Sequence, residues 1–210
     1  MEKIDLRKQY KHLYNPSAKK VEVVDVPPLQ FAMVDGMIPA GEGPGDSADF
    51  QQAVDALYSI SYTLKFMFKK REEAPIDYPV MALEGLWTTA SGEFVFGRRE
   101  AWLYTAMIMQ PEIITPEVFA EGVEQARKRK PGPGLDRLRL ERFHEGPSIQ
   151  VMHIGPFATE METIDRMDAY AQEHGLRLHG RHHEIYMGDP RRAAPEKLKT
   201  ILRHPIVRDE

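Results

Sequence analysis

Pro28-Leu-Gln-Phe-Ala-Met-Val-Asp-Gly36 and Pro147-Ser-Ile-Gln-Val-Met-His-Ile-Gly155 decide the reading of this chain, because one kind of segment occurs twice, 119 residues apart. Each runs from a Pro to a Gly with apolar, partly β-branched residues between, which is the pattern of a buried strand. An amphipathic helix follows each strand. In the first half Asp46 or Ser47 caps a helix whose apolar positions are Phe50, Ala53, Val54, Leu57, Ile60, Leu64 and Phe68. In the second, Thr159 with Glu162 reads as a capping box, Met161, Ile164, Met167 and Ala171 form the buried stripe, and His174-Gly175 is the stop.

A second strand then follows in each half, Val80 to Trp87 and Arg181 to Met187, and a third closes it, Glu100 to Met109 and Leu198 to Val207. Between the halves Thr115-Pro116-Glu117 opens a helix that Pro131-Gly-Pro-Gly134 ends. The expected fold is therefore α+β, with two tandem β-α-β-β pseudo-repeats of antiparallel strands around a central ligand cleft. We expect one domain over residues 1–210, with pseudo-repeats at about 20–110 and 135–208 and a connecting helix at about 115–130. Each repeat is too small to hide its own apolar sheet face, which is why the two should pack as a pseudo-twofold pair.

Composition narrows the function classes. With 28 Lys and Arg against 32 Asp and Glu, the net charge is −4, and an acidic balance of mixed sign argues against a nucleic-acid partner. The chain has no Cys, which removes disulfides, thiolate nucleophiles, zinc ribbons and iron-sulfur sites together. Met1-Glu-Lys-Ile-Asp-Leu-Arg-Lys8 interleaves charges with isolated apolar residues, so neither a signal peptide nor a membrane span is expected and the expected location is cytoplasmic.

Candidate chemistry centres on two acids. Glu84 and Glu184 each sit mid-strand in apolar surroundings, 100 residues apart. By alternation Glu184 shares a face with His182 and Tyr186, and Glu84 with Ala82 and Leu86. Burying a carboxylate costs several kcal/mol unless it is paired, protonated or hydrogen-bonded. Three readings follow: a counter-charge for a cationic aromatic ligand, a general base, or a Glu on a solvated face or held by a neighbouring Arg or Tyr. Trp87, Trp102 and Tyr104 can supply aromatic walls or ordinary core, while Tyr58, Tyr62 and Phe66 recur every four residues as a packing face.

Other signals are weaker. Gly41-Glu-Gly-Pro-Gly45 lies where a phosphate loop would lie, but it lacks the Lys-Ser/Thr ending, and Glu42 and Asp46 would repel phosphate. His179, His182 and His183 have no further ligand at recognisable spacing, so no metal is expected. Arg127 to Lys130 ends a helix, where cations suit the dipole.

The stretches Lys11-His-Leu-Tyr14, Pro16-Ser-Ala-Lys-Lys-Val21, Phe50 through Phe66, Met152-His-Ile-Gly155 and His183-Glu-Ile-Tyr186, followed by Asp189-Pro-Arg-Arg192, resemble the GyrI-like small-molecule-binding family over nearly the whole chain. The resemblance implies tandem β-α-β-β units, like those of drug-sensing modules of multidrug-responsive transcription activators. There a buried Glu on a late strand faces lipophilic cations in an aromatic pocket, a role that falls on Glu184 with Tyr186 beside it. Some standalone members are similar to cyclopropanoid hydrolases, in which case Glu184 would activate water. The first twenty residues are too few for a helix-turn-helix, so no nucleic acid is expected through this chain alone. The expected partner is thus a flat, aromatic, often cationic small molecule, for sequestration, sensing or detoxification, without a cofactor. Its expected ligand residues are Glu84, Trp87, Trp102, Tyr104, Glu184 and Tyr186, with Glu184 and Tyr186 catalytic if it is turned over. An interaction module with a self-filled cleft is the third reading.

Overall fold

The computed structural model describes residues 1–89, 91–92, 100–189 and 192–208; Pro190 and Arg191 of the Asp189-Pro-Arg-Arg stretch lie outside the described residues. In chain order the elements are β1 (Glu2–Lys3), α1 (Leu6–Gln9), α2 (Lys11–Tyr14), β2 (Glu22–Val26), β3 (Leu29–Ile38), α3 (Ala48–Lys69), β4 (Ile76–Asp77), β5 (Leu83–Thr89), β6 (Trp102–Met109), α4 (Pro116–Arg129), β7 (Arg139–Phe143), β8 (Gly146–Ile154), α5 (Glu160–Glu173), β9 (Leu176–Leu178), β10 (His182–Tyr186) and β11 (Lys199–Arg208).

The large sheet runs β2-β8-β11-β10-β5-β6-β3-β7, with β9 against β11 and every pairing antiparallel. The halves β3-α3-β5-β6 and β8-α5-β10-β11 join where β5 pairs β10. One feature was not legible from sequence. β2 leads into β3 yet pairs β8, and β7 leads into β8 yet pairs β3. Each half thus lends a strand to the outer edge of the other, which interlocks the pseudo-repeats.

Register assigns the two faces. Val34, Ala106, Gly85, Glu184, Leu202 and Val151 form one cross-sheet row. Facing residues of paired strands project to the same side, so Glu184 shares its face with the apolar residues that α3 and α5 cover. α3 is there because Phe50, Leu57, Ile60 and Leu64 recur at helical spacing and are buried; α5 packs Met167 and Ala171 on Ile149, Val151 and Leu202. The Ser47 hydroxyl accepts from the Phe50 amide, so that of the two candidates Asp46 and Ser47 it is Ser47 that caps α3, and the Thr115 hydroxyl accepts from the Val118 amide as the sequence predicts.

Three local expectations fail. Thr159 makes no side-chain cap on α5; its hydroxyl donates instead to the Pro156 carbonyl at 2.9 Å, because a one-turn 3-10 helix precedes α5 and draws it back. Val80 to Ala82 lie outside β5, which begins at Leu83. Tyr62 and Phe66 are 47% and 39% exposed, so the aromatic stripe of α3 is not a buried packing face.

The row behind Glu184 comprises Asp35, Thr105, Leu86, His183, Arg203, Gln150 and Glu22. Here a polar chain is sealed beneath the N-terminal helices. The Tyr14 hydroxyl donates to Glu84 at 2.6 Å, and the His183 imidazole lies 2.9 Å from Glu84 and 3.0 Å from Glu145. Arg203 donates to Glu145 at 3.2 Å, to Gln150 at 3.1 Å and to the Leu13 carbonyl at 2.8 Å. Burial pushes the Glu145 carboxyl up, but His183 and Arg203 outweigh it and bring it to about 2. For His183 burial acts downward, yet Glu145 and Glu84 win and its pKa is raised.

Glu145→Gln is expected to lower unfolding free energy by about 3–5 kcal/mol near neutral pH, read from the urea midpoint, because two buried cations lose their common carboxylate. Glu145 has a depressed folded pKa, so its contribution is present above its ordinary 4.5 and is lost as pH falls toward about 2. The gap between variant and parent should close over that same interval.

Candidate functional site

The site forms at the β5–β10 junction on the helix-covered face. Glu184 is only 7% exposed. Its Oε2 accepts from the Tyr186 hydroxyl at 2.7 Å, and the Tyr186 oxygen accepts from the Trp87 indole N–H at 3.0 Å. On the other side His182 Nε2 lies 3.3 Å from Glu184 Oε1. Burial first, then the Glu184 charge, raise the Tyr186 phenol well above its usual value, so it stays a proton donor at neutral pH.

Gly85 makes this arrangement possible. It faces Glu184 across the strands, and a Cβ built on it would lie 2.6 Å from Trp87 Nε1. A residue with a side chain would occupy the space into which the indole folds back over its own strand to reach Tyr186. The rings around this point come from five elements, β5, α3, β6, β10 and the one-turn 3-10 helix before α5. Trp87 lies 5.4 Å from Phe50, 5.9 Å from Trp102 and 5.9 Å from Tyr104, and Phe157 meets Tyr186 edge-on at 5.9 Å. Tyr104 is anchored by donating to Asp49 at 2.5 Å, and Arg137 holds the same carboxylate at 2.7 Å.

A second acid completes the site. Glu160, the first residue of α5, is 1% exposed, and burial followed by the charge of Glu184 pushes its carboxyl up to about 9. The Thr200 hydroxyl offsets only part of that rise. Among the described residues Glu160 Oε1 has no hydrogen-bond partner. A helix N-terminus ordinarily favours an ionised acid, but here desolvation and a like charge outweigh the dipole. At neutral pH the site therefore holds Glu160 as a proton-bearing carboxyl beside Glu184.

The structure brings together Glu184, Tyr186, Trp87, Trp102 and Tyr104. It does not bring Glu84 with them. Glu84 faces Ile185, one residue out of phase with the Gly85–Glu184 pair, and so projects to the opposite side of the sheet, where it belongs to the Tyr14–His183 chain. His182 and His183 likewise point to opposite faces, and among the described residues no group of three His, Asp or Glu side chains is placed to hold a metal ion. Sequence reading missed Glu160, Phe50 and Phe157. An acid in a first helical turn reads as a dipole partner, and only the packing of α5 on β8 and β11 turns Glu160 inward.

Several known proteins share this fold. The chain matches the GyrI-like small-molecule-binding domain over residues 102–207. It is 42% identical to an uncharacterized conserved protein from Listeria innocua, with 97% of this chain and 100% of that one covered and a TM-score of 0.87. A hydrolase from Listeria innocua is 40% identical over 97% of this chain and 100% of its own, with a TM-score of 0.83. The EcmrR C-terminal domain shares only the fold, at 8% identity and a TM-score of 0.55 over 90% of this chain and 98% of that one. No curated protein matches. Among the described residues no helix is long and apolar enough to cross a membrane. With full-length relatives at this identity and a domain match reaching from β6 into β11, the chain belongs to the GyrI-like small-molecule-binding family.

Proposed function

We propose that this chain is a hydrolase that opens a strained, flat aromatic electrophile of the cyclopropanoid class, with Glu184 as general base and Glu160 as general acid. The observation that carries the reading is the unequal carboxyl pair: Glu160 is held protonated to about 9 by burial and by Glu184. A site that only neutralised a cation would gain nothing from a second acid that stays uncharged. A carboxyl held protonated beside a second carboxyl is how one pocket supplies an acid and a base at the same pH. The full-length match to a hydrolase from Listeria innocua supports the same choice.

In this scheme the rings of Trp87, Tyr104 and Trp102 hold the flat substrate, and Tyr186 aims Glu184 by donating to its Oε2. Glu184 takes a proton from water as the water oxygen bonds to the ring carbon. The strained C–C bond breaks, and its electron pair moves into the conjugated carbonyl, whose oxygen takes the proton of Glu160. Proton transfer from Glu184 back to Glu160 restores the starting state, for a net addition of one water.

The test is multiple turnover of a spirocyclopropyl dienone, followed by mass spectrometry. Product carrying one added water, formed in excess over protein and declining above about pH 9 as Glu160 loses its proton, is the expected result. Stoichiometric binding without product would replace hydrolysis with sequestration of aromatic, often cationic molecules, in which Glu184 acts as counter-charge.

A further inference from the structure

On the reverse side of the sheet, away from Glu184, a cavity of about 210 Å³ opens beside β5 and the turn before β10. Its polar lining includes Arg181, His144 and His179, and its apolar lining Leu86, Phe143 and Pro205. Arg181 is half-buried. It donates once, from Nη1 to the Thr105 hydroxyl at 2.7 Å, and among the described residues it forms no ion pair. The nearest compensation is indirect, because the Thr105 hydroxyl donates to Asp35 at 2.5 Å and Asp35 pairs with Arg139 at 2.8 Å. Burial lowers the Arg181 pKa, with the like charge of Arg139 adding to it, although Asp35, Glu141 and Glu145 act upward, as expected of a guanidinium withdrawn from water without a full partner.

Glu145 also borders the cavity, but it does not supply the missing charge. Its side chain is 1% exposed, and its oxygens are already taken by His183 at 3.0 and 3.1 Å and by Arg203 at 3.2 Å. What the cavity offers is therefore donors: the remaining guanidinium N–H groups and two imidazoles, facing an apolar wall. A guanidinium fork matches the two oxygens of a carboxylate. The volume falls short of the 300 Å³ at which drug-sized sites begin, which limits the occupant to a small molecule.

We propose that this cavity is a second binding site, for a small aromatic carboxylate, with Arg181 as its anchor and Phe143, Leu86 and Pro205 against its ring. The site shares no side chain with the Glu160–Glu184 pair, so it stands whether or not hydrolysis is established.

The experiment is calorimetric titration of sodium benzoate at fixed ionic strength into the full chain. Saturable binding is expected, weakened at least about tenfold in Arg181→Gln and several-fold in His144→Glu. His144 is exposed, so its variant keeps the test open if Arg181→Gln is unstable. Glu184→Gln should bind benzoate as the parent does. Three results would overturn the proposal: no saturable heat up to about 20 mM benzoate, affinity unchanged in both cavity variants, or inorganic phosphate binding as tightly as benzoate. The last would leave the apolar wall without a role.

Discussion

Glu184→Gln will fold and still take up a flat aromatic ligand, but it will lose turnover by about 10³-fold, within the range that a positioned general base contributes. The amide is close in shape to the carboxylate and can accept from Tyr186 at the position now 2.7 Å away, so the aromatic walls should keep their places. What disappears is the proton acceptor. The loss should fall on kcat rather than KM, because in the proposed scheme Trp87 and its neighbours hold the substrate. A pair of dyes of equal shape, one cationic and one neutral, separates the rival role. If Glu184 serves as a counter-charge, the variant weakens the cationic dye much more than the neutral one. Unchanged turnover in Glu184→Gln would remove the carboxylate from the chemistry altogether.

How far the sequence discloses this site depends on what each residue needs. The strand-helix-strand-strand order was legible because Phe50, Leu57, Ile60 and Leu64 keep helical spacing and the flanking strands end at Pro and Gly. Glu184 and Tyr186 were legible because alternation along one strand is a local property. The partnership of Glu84 with Glu184 was not. Matching the two acids sets the second strands 100 residues apart, an even offset. The pairing of Gly85 with Glu184 and of Glu84 with Ile185 instead requires an odd offset if both helices are to cover the same face, as α3 and α5 do. One residue of slip therefore sends an acid to the other side of the sheet.

The exchange of β2 and β7 between halves was hidden for a related reason. Both are short and partly exposed, and nothing local states whether an edge strand pairs with its own hairpin partner or with the other repeat. Glu160 was hidden more deeply still. Its burial arises from the seating of α5 over β8 and β11, and its raised pKa arises from that burial and then from Glu184, 24 positions further along the chain. Such long-range terms leave no mark on a first-turn acid that single-sequence reading can detect.

Glu160→Gln should produce two opposed effects, and their opposition is what identifies the residue as an acid of the reaction and not a structural support. Its folded pKa of about 9 stands above the ordinary 4.5, so between those values the folded chain holds a proton that the unfolded chain has released. Stability from this group is complete below 4.5 and is lost as pH rises toward 9, with a cost of about 5 kcal/mol by pH 8. Glutamine never ionises and escapes that cost. The variant should therefore melt at a higher temperature than the parent at pH 8 and near the same temperature at pH 4.5, as followed by circular dichroism. Turnover should fall by about 10²–10⁴-fold, because the amide has no proton to give to the departing electron pair, and the alkaline decline in rate should vanish from what remains. A structural carboxyl would be expected to lower stability and activity together on removal. A variant both more stable at pH 8 and inactive places the proton of Glu160 in the chemical step, whereas a variant of full activity would leave Glu184 to work without an acid partner.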